Sequence, residues 1–283
     1  MDIKIEKVNT IKEAVKLHFT SKEKNVFYLA GGTDLMVQAK DNLITPALFI
    51  DISEIKELKQ IKKEKNNLFI GSLVTHSEIE NNKLCQKYFP ALVQSASEVG
   101  ATQIKNRGTI GGNVANASPA ADTLSPLYAY NALVILYNHQ GKEKKVPINE
   151  FVIGPKKTNL KKGEIIKGFL LPIDTSLKSA FKKVGPRKLL TISKVHCALA
   201  VIVKKEKFEY VSIAIGSVGP TIIRAKKAEE YLIGKEANNV NINEAAKIAT
   251  SEIKPIDDIR SEAEYRKDLT YSMVKDLLLE VCK

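Results

Sequence analysis

The sequence predicts an α+β protein of two successive units, and three observations predict it. Up to about residue 172, strand-like runs alternate with glycine turns and helix-start signals. From about Lys178, three strand-like runs come first and helical periodicity follows, the order expected of a separate α+β unit. The 283 residues, 44% hydrophobic, are enough for two or three buried cores, which excludes a disordered chain.

Each element has its own signal. Thr10 and Glu13 form a T-x-x-E capping box ahead of Ile11, Ala14, Val15 and Phe19 at helical spacing, so an amphipathic helix comes first. Val26–Ala30 reads as a strand that runs into Gly31-Gly32 and then a helix start at Thr33-Asp34-Leu35. Ala47–Ile52 predicts another strand, and the segments flanking Lys65-Asn66-Asn67 predict a hairpin. Thr75 and Glu78 make a second capping box, and Pro90–Val99 predicts a helix closing at Gly100. Ala101–Asn116 is polar and glycine-dense, without the periodicity of a packed element. Ser118-Pro119 has the form of an N-cap and first-turn proline, predicting a helix through about Tyr130. Ala132–Tyr137 and Ile165–Leu171 predict strands, with Gly141 a turn and Pro172 a stop. Beyond a boundary near 172–178, Phe181–Val184, Val195–Val203 and Val211–Val218 predict a three-stranded antiparallel meander. Helices are predicted near Ala225–Leu232, Ile242–Ile253 and Ser261–Val281.

Composition narrows the function. The longest apolar runs, such as 197–203 and 132–136, fall far short of the roughly 20 residues a membrane helix needs. The N-terminus alternates charged and apolar residues without a signal-peptide block, so a cytoplasmic protein is expected. Cys85, Cys197 and Cys282 are scattered and read as reduced and structural. Neither an iron–sulfur cluster nor a cysteine zinc site fits them, and no metal is expected in this chain. His18, His76, His139 and His196 are equally dispersed and read as surface or core residues. The net charge of +12 invites a nucleic-acid reading, but only five of the 44 basic residues are arginine, the better reader of bases and phosphates. There is no Trp and no stacking-aromatic pattern, so nucleic-acid binding is disfavoured. The excess fits a docking surface for an acidic partner or a general lysine bias.

Two glycine loops are the candidate sites. Tyr28-Leu29-Ala30-Gly31-Gly32-Thr33-Asp34-Leu35 places two glycines between a strand and a helix start. Such a turn aims successive N–H groups at one point and suits phosphate, although an ordinary tight turn has the same sequence form. Gly108-Thr109-Ile110-Gly111-Gly112-Asn113, followed by Asn116, Ser118 and Asp122, gathers glycines and neutral hydrogen-bonding side chains. That set suits a polyhydroxyl or pyrophosphate ligand more than a metal. Asp122 could accept hydrogen bonds from ligand hydroxyls, or simply interact with the dipole of the helix predicted from Ser118. Neither loop is G-x-G-x-x-G or G-x-x-x-x-G-K-[ST], which disfavours a nicotinamide dehydrogenase and an NTPase.

Leu29–Leu35 together with Lys105–Asp122 closely resembles the FAD-binding medium subunit of the xanthine dehydrogenase/carbon monoxide dehydrogenase family of molybdenum hydroxylases. The resemblance extends over the chain: Phe181-Lys182-Lys183 with Arg187, and Pro255–Ser261 through Tyr265-Arg266, are similar to that family's C-terminal domain. It implies a two-subdomain FAD-binding fold of the vanillyl-alcohol-oxidase (PCMH) type over residues 1–176, with subdomains of about 1–55 and 56–176. A C-terminal α+β domain is implied over 177–283. FAD is the implied cofactor. Tyr28 to Leu35 and Gly108 to Asn113 would bind its pyrophosphate and adjoining parts, with Asn116 and Asp122 near the ribityl and phosphate region. Ile165 and Ile166 would line the flavin pocket. Lys182, from the Phe-Lys pair, would approach the isoalloxazine, where a cation favours the anionic reduced form. Without the resemblance, Lys182 is one more surface lysine.

The resemblance also implies a role. A molybdopterin-binding large subunit hydroxylates substrate, a small subunit carries electrons through [2Fe-2S] clusters, and this subunit passes them through FAD to NAD⁺ or another acceptor. The chain would be one subunit of a heterotrimer, with no catalytic residue beyond the flavin. The cysteine-rich insert that binds a [4Fe-4S] cluster in the 4-hydroxybenzoyl-CoA reductases is missing here. Two rivals are a self-sufficient flavin oxidoreductase of the same broad fold, and a basic docking protein without cofactor. The former should turn over substrate without partners, and the latter should show salt-sensitive affinity for a polyanion.

Overall fold

The computed structural model describes residues 3–44, 47–187 and 190–282. Strands β1 (Ile3–Lys7), β2 (Val26–Leu29) and β3 (Ala47–Asp51) form a parallel sheet in the order β1-β3-β2. Helix α1 (Ile11–Thr20) crosses over between the first two strands. Its Thr10–Glu13 capping box forms as predicted, and it buries Ile11, Ala14 and Val15 against Leu48 and Ile50. Helix α2 (Leu35–Lys40) follows β2 after the first glycine loop.

A second sheet is wholly antiparallel. Its strands β4 (Ile61–Glu64), β5 (Asn67–Gly71), β6 (Leu133–Asn138), β7 (Glu143–Pro147) and β10 (Glu164–Pro172) run in the order β4-β5-β10-β6-β7. The predicted hairpin is β4–β5, turning at Lys65 in the left-handed region. A small ribbon, β8 (Val152–Gly154) with β9 (Lys157–Thr158), lies between β7 and β10. The insertion between β5 and β6 carries α3 (His76–Asn81), α4 (Lys83–Tyr88), α5 (Pro90–Ser97), α6 (Thr102–Lys105), α7 (Ile110–Asn116) and α8 (Leu124–Ala129). The one-turn helix α9 (Ile148–Phe151) follows β7.

Two expectations change here. The glycine-dense stretch 101–116 is partly helical and packed: Thr109 caps α7, and Ile110 and Val114 are fully buried. No helix starts at Ser118-Pro119. The Ser118 hydroxyl accepts from the Ala120 N–H, the chain turns, and α8 begins only at Leu124.

The C-terminal unit has the predicted meander, β11 (Lys178–Val184), β12 (Val195–Lys204) and β13 (Lys207–Gly216), with a fourth short strand, β14 (Ile223–Arg224), at its edge. Helices α10 (Lys226–Leu232), α11 (Asn239–Glu252) and α12 (Ala263–Val281) cover one face. Strand alternation divides the sheet cleanly. Ala180, Cys197, Leu199, Val201, Ile213 and Ile215 join the core of the helical face. Phe181, Ala198, Ala200 and Ala214 turn to the opposite face and join the core of the insertion and antiparallel sheet. Three alanines on that face let α8 approach closely, so the two units share this sheet as a wall. No described helix is long and apolar enough to cross a membrane.

Candidate functional site

The first glycine loop works through its backbone. Gly32 has φ +72, and a Cβ on Gly31 would lie 1.8 Å from the Arg107 carbonyl oxygen. The two glycine loops, distant in sequence, therefore touch, and a Cβ on Gly108 would lie 3.4 Å from Thr33 Oγ1. Among the described residues, the N–H groups of Gly31, Gly32, Thr33, Asp34 and Leu35 engage no protein acceptor. These donors are the raw material of an anion cradle. The side chains of the motif face elsewhere. Tyr28 stacks on His18 with ring centroids 4.8 Å apart, its hydroxyl buried without a partner. Leu29 and Leu35 pack around Phe49, Ala30 packs in the core beneath the parallel sheet, and Asp34 accepts from the Gln38 side-chain amide.

The second loop has its donors in use. Gly108 N–H donates to Ile104 O at 2.6 Å, Ile110 N–H to Val74 O at 2.9 Å and Gly111 N–H to Ser72 O at 2.9 Å. Gly112 N–H donates to Thr109 Oγ1 at 3.1 Å and Asn113 N–H to Thr109 O at 2.9 Å. Only the N–H of Thr109 has no protein acceptor among the described residues. A Cβ on Gly111 would lie 2.5 Å from both Cβ and O of Ser72. The loop is thus docked on Ser72–His76, a third segment that glycine patterns did not reveal. His76 donates its N–H to Gly108 O at 3.1 Å. Burial, with a smaller push from Lys105 and against the pull of Asp122, lowers the His76 imidazole to about 4. Ser72 Oγ and His76 Nδ1 are buried without partners.

Beyond Asn113 the chain reaches a cavity of about 790 Å³. One wall is Val99–Ala101, Asn113 and Ser118–Asp122, and the other comes from 190–193, 217–220 and 254–266 of the C-terminal unit. Asn113 Oδ1 accepts from Thr123 Oγ1 at 2.6 Å, tying α7 to this wall. Asp122 lines the cavity, but both its oxygens are engaged: Lys183 Nζ donates at 2.5 Å and Ser193 Oγ at 2.5 Å. Each oxygen keeps a further acceptor site toward the cavity, and Asp122 does not lie in the first turn of a helix from Ser118, since α8 begins at Leu124. Lys183 and Asp122 are almost fully buried, and removing one partner of such a pair costs about 3–5 kcal/mol.

Four other expected residues lie apart from the cavity. Lys182 points to the helical face and pairs with Asp276 at 2.6 Å, because it has the opposite strand parity from Phe181 and Lys183. Ile165 and Ile166 occupy opposite faces of β10, each buried in a different core. Asn116 ends α7, half-buried and outside the cavity lining.

The sequence reading assigned no site role to Lys183, Ser193, His196 or Arg266, although it placed Lys183 and Arg266 in the C-terminal motifs and took His196 as a surface or core residue, which its full burial agrees with. Only Lys183 had a usable signal: Phe181 is the large apolar residue of its strand, and the residue two further on shares its face. The other three depend on contacts far apart in sequence.

Comparisons with known proteins align with this architecture. The profile described as FAD binding domain in molybdopterin dehydrogenase matches residues 1–174, and that of the CO dehydrogenase flavoprotein C-terminal domain matches 179–281. The glyceraldehyde dehydrogenase medium chain of Sulfolobus acidocaldarius is 30% identical over 97% of this chain and 96% of its own. The nicotinate dehydrogenase FAD-subunit of Eubacterium barkeri is 31% identical over 96% and 93%. Among solved structures, carbon monoxide dehydrogenase from Hydrogenophaga pseudoflava superposes with a TM-score of 0.94 at 28% identity. That match covers 99% of this chain and 97% of that one.

Proposed function

The chain belongs to the FAD-binding medium subunits of the xanthine dehydrogenase/carbon monoxide dehydrogenase family of molybdenum hydroxylases, and from that premise we propose that it is an electron-transfer subunit. It would receive electrons from [2Fe-2S] clusters of a small subunit, in a cytoplasmic heterotrimer with a molybdopterin-binding large subunit. NAD⁺ or another acceptor would take them up. Hydroxylation of substrate would not occur on this chain alone. We assign the cofactor domain to 1–176, with subdomains of about 1–55 and 56–176, and the second domain to 177–283.

One observation carries the reading: the unengaged N–H groups of Gly31–Leu35 meet the second loop at Gly108, and that loop leads through Asn113 into the cavity. Such a cradle suits a dinucleotide pyrophosphate, and about 790 Å³ lies within the ordinary range for cofactor pockets. The residues present therefore fit FAD. The N–H groups of 31–35 would hold the pyrophosphate, and Asn113 and the wall 118–122 would line the cavity for the rest of the cofactor. When bound, FAD supplies a centre that exchanges electrons singly or in pairs. The chain's own residues orient it and close the cavity around it. Lys183 would act on this wall from behind, through its ion pair with the lining residue Asp122, whereas Lys182 pairs with Asp276 on the helical face. The match over 179–281 favours a flavin subunit over a self-sufficient oxidoreductase or a cofactor-free docking protein.

The test is the visible spectrum of the purified chain with and without added FAD, followed by heat release and chromatography of the nucleotide. Flavin bands with stoichiometric FAD are expected. FMN in its place, or no binding at excess FAD, would overturn the assignment.

A further inference from the structure

The motif Pro255–Ser261 with Tyr265-Arg266 has no part in either glycine loop, yet Ile256, Asp258, Arg260 and Arg266 all line the cavity. We propose that Arg266 is a positioning residue for the flavin cavity, acting through Ser217 on the wall at Pro119. The proposal rests on the FAD reading above.

The connections are continuous. Asp258 Oδ1 accepts from the N–H of Arg260 at 2.8 Å, the N–H of Ser261 at 3.1 Å and Arg266 Nη2 at 2.6 Å. Burial alone would raise this carboxyl, but these donors outweigh it and hold it below the ordinary aspartate value. Arg266 is 5% exposed, and its Nη1 donates to Ser217 O at 2.8 Å. Ser217 has φ +64, a left-handed conformation that a non-glycine residue keeps only where its surroundings impose it. In that conformation its N–H donates to Pro119 O at 2.9 Å. His196 Nε2 lies 3.4 Å from the same oxygen, and His196 Nδ1 lies 2.9 Å from Ser125 Oγ. A carbonyl can only accept, so Nε2 carries the proton. Burial favours the neutral ring, and Nδ1 then accepts from Ser125.

Pro119 therefore receives one donor from β12, His196, and one from Ser217, the residue directly after β13. The wall 118–122 has no helix or strand of its own, so these bonds set its place. Asp122 is fixed at the far end by Lys183 and Ser193, and Pro119 at the near end by Ser217 and His196. Arg266 is the link joining the Pro119 end to α12. Losing it frees Ser217 to leave the left-handed region and lets the wall shift.

The experiment is FAD titration of the full chain by flavin fluorescence, with visible circular dichroism of the bound flavin and thermal unfolding in parallel. The variants are R266Q, R266K and M273A. Met273 is buried on the same helix, outside the cavity lining, so M273A controls for loss of stability alone. R266Q is expected to weaken FAD binding about tenfold to a hundredfold, the range that loss of a supporting hydrogen bond produces, and to alter the flavin dichroism. M273A should leave both within about twofold, as an uncoupled site does. R266K keeps a charge beside Asp258 but has a single nitrogen in place of two, so intermediate weakening is expected. If R266Q does not fold, R266K decides. Equal effects of the Arg266 variants and M273A, or wild-type affinity and dichroism in R266K, would overturn the proposal. Failure of the wild-type chain to bind FAD would instead overturn the functional reading, and this inference with it.

Discussion

The two glycine loops look alike in sequence and do different work. In the first, Gly31 and Gly32 let the backbone turn against Arg107, and the N–H groups from Gly31 to Leu35 stay free of protein acceptors among the described residues. In the second, every N–H from Gly108 to Asn113 except that of Thr109 is taken up by the chain itself. Glycine marks close approach, but not what is approached. At Gly31 the neighbour is the other loop, at Gly111 it is Ser72, and the first arrangement leaves five successive N–H donors free where the second leaves that of Thr109. The second loop is a strut that holds the first in place and delivers Asn113 to the cavity.

The largest effect that separates the two roles is expected at Gly111. A Cβ there meets backbone and side chain of Ser72 at 2.5 Å, with no flexible end to move aside. Gly111→Ala should destabilise the flavin-free chain by about 3 kcal/mol, the upper part of the overpacking range. Urea unfolding without FAD measures it. If the loss appeared only in FAD affinity, with unfolding unchanged, Gly111 would belong to the ligand and the contrast between the loops would collapse.

His76 joins the two regions, since its N–H holds Gly108 O and its ring lies beside Gly108. Its folded value of about 4 lies below the unfolded 6.5, so folding favours the neutral ring. Well above pH 6.5 both states are neutral and this residue leaves stability unchanged with pH. As pH falls toward 4, the unfolded chain takes up a proton that the folded chain refuses. Stability then falls by at most about 1.4 kcal/mol per pH unit. His196, lowered by burial, adds to the slope in the same sense. Unfolding titrations of wild type and His76→Gln across this window should differ in slope by up to about one proton. Identical slopes would mean that His76 is solvated and that the strut is looser than described.

Much of this was legible locally. The capping boxes at Thr10–Glu13 and Thr75–Glu78, the helix stop near Gly100 and the three-strand meander follow from neighbouring residues alone. Ser118-Pro119 shows where local rules lose. It has the form of a helix start, yet the chain turns for six more residues so that Pro119 and Asp122 can meet the C-terminal unit. The docking of Thr109 opposite Thr75 and the path from Arg266 to Pro119 were hidden for the same reason. They pair segments with no common pattern, and nothing near either residue in sequence announces the other.

The smallest expected effect tests the step from motif to side chain. Lys182 and Lys183 are adjacent and identical in type, but strand parity sends them to opposite faces of the shared sheet. Lys182 and Asp276 are 44% and 53% exposed, against 3% and 9% for Lys183 and Asp122. In water the first pair gains little Coulomb energy and loses side-chain freedom, so Lys182→Ala should change stability by no more than about 0.5 kcal/mol. It should also leave FAD affinity and the flavin spectrum unchanged, because α12 and the sheet separate it from the cavity wall. A flavin spectrum that shifted in Lys182→Ala and not in Lys183→Ala would place the wrong face of β11 against the cofactor. The register that carries Lys183 to Asp122 would then have to move by one residue, turning every side chain of the strand over.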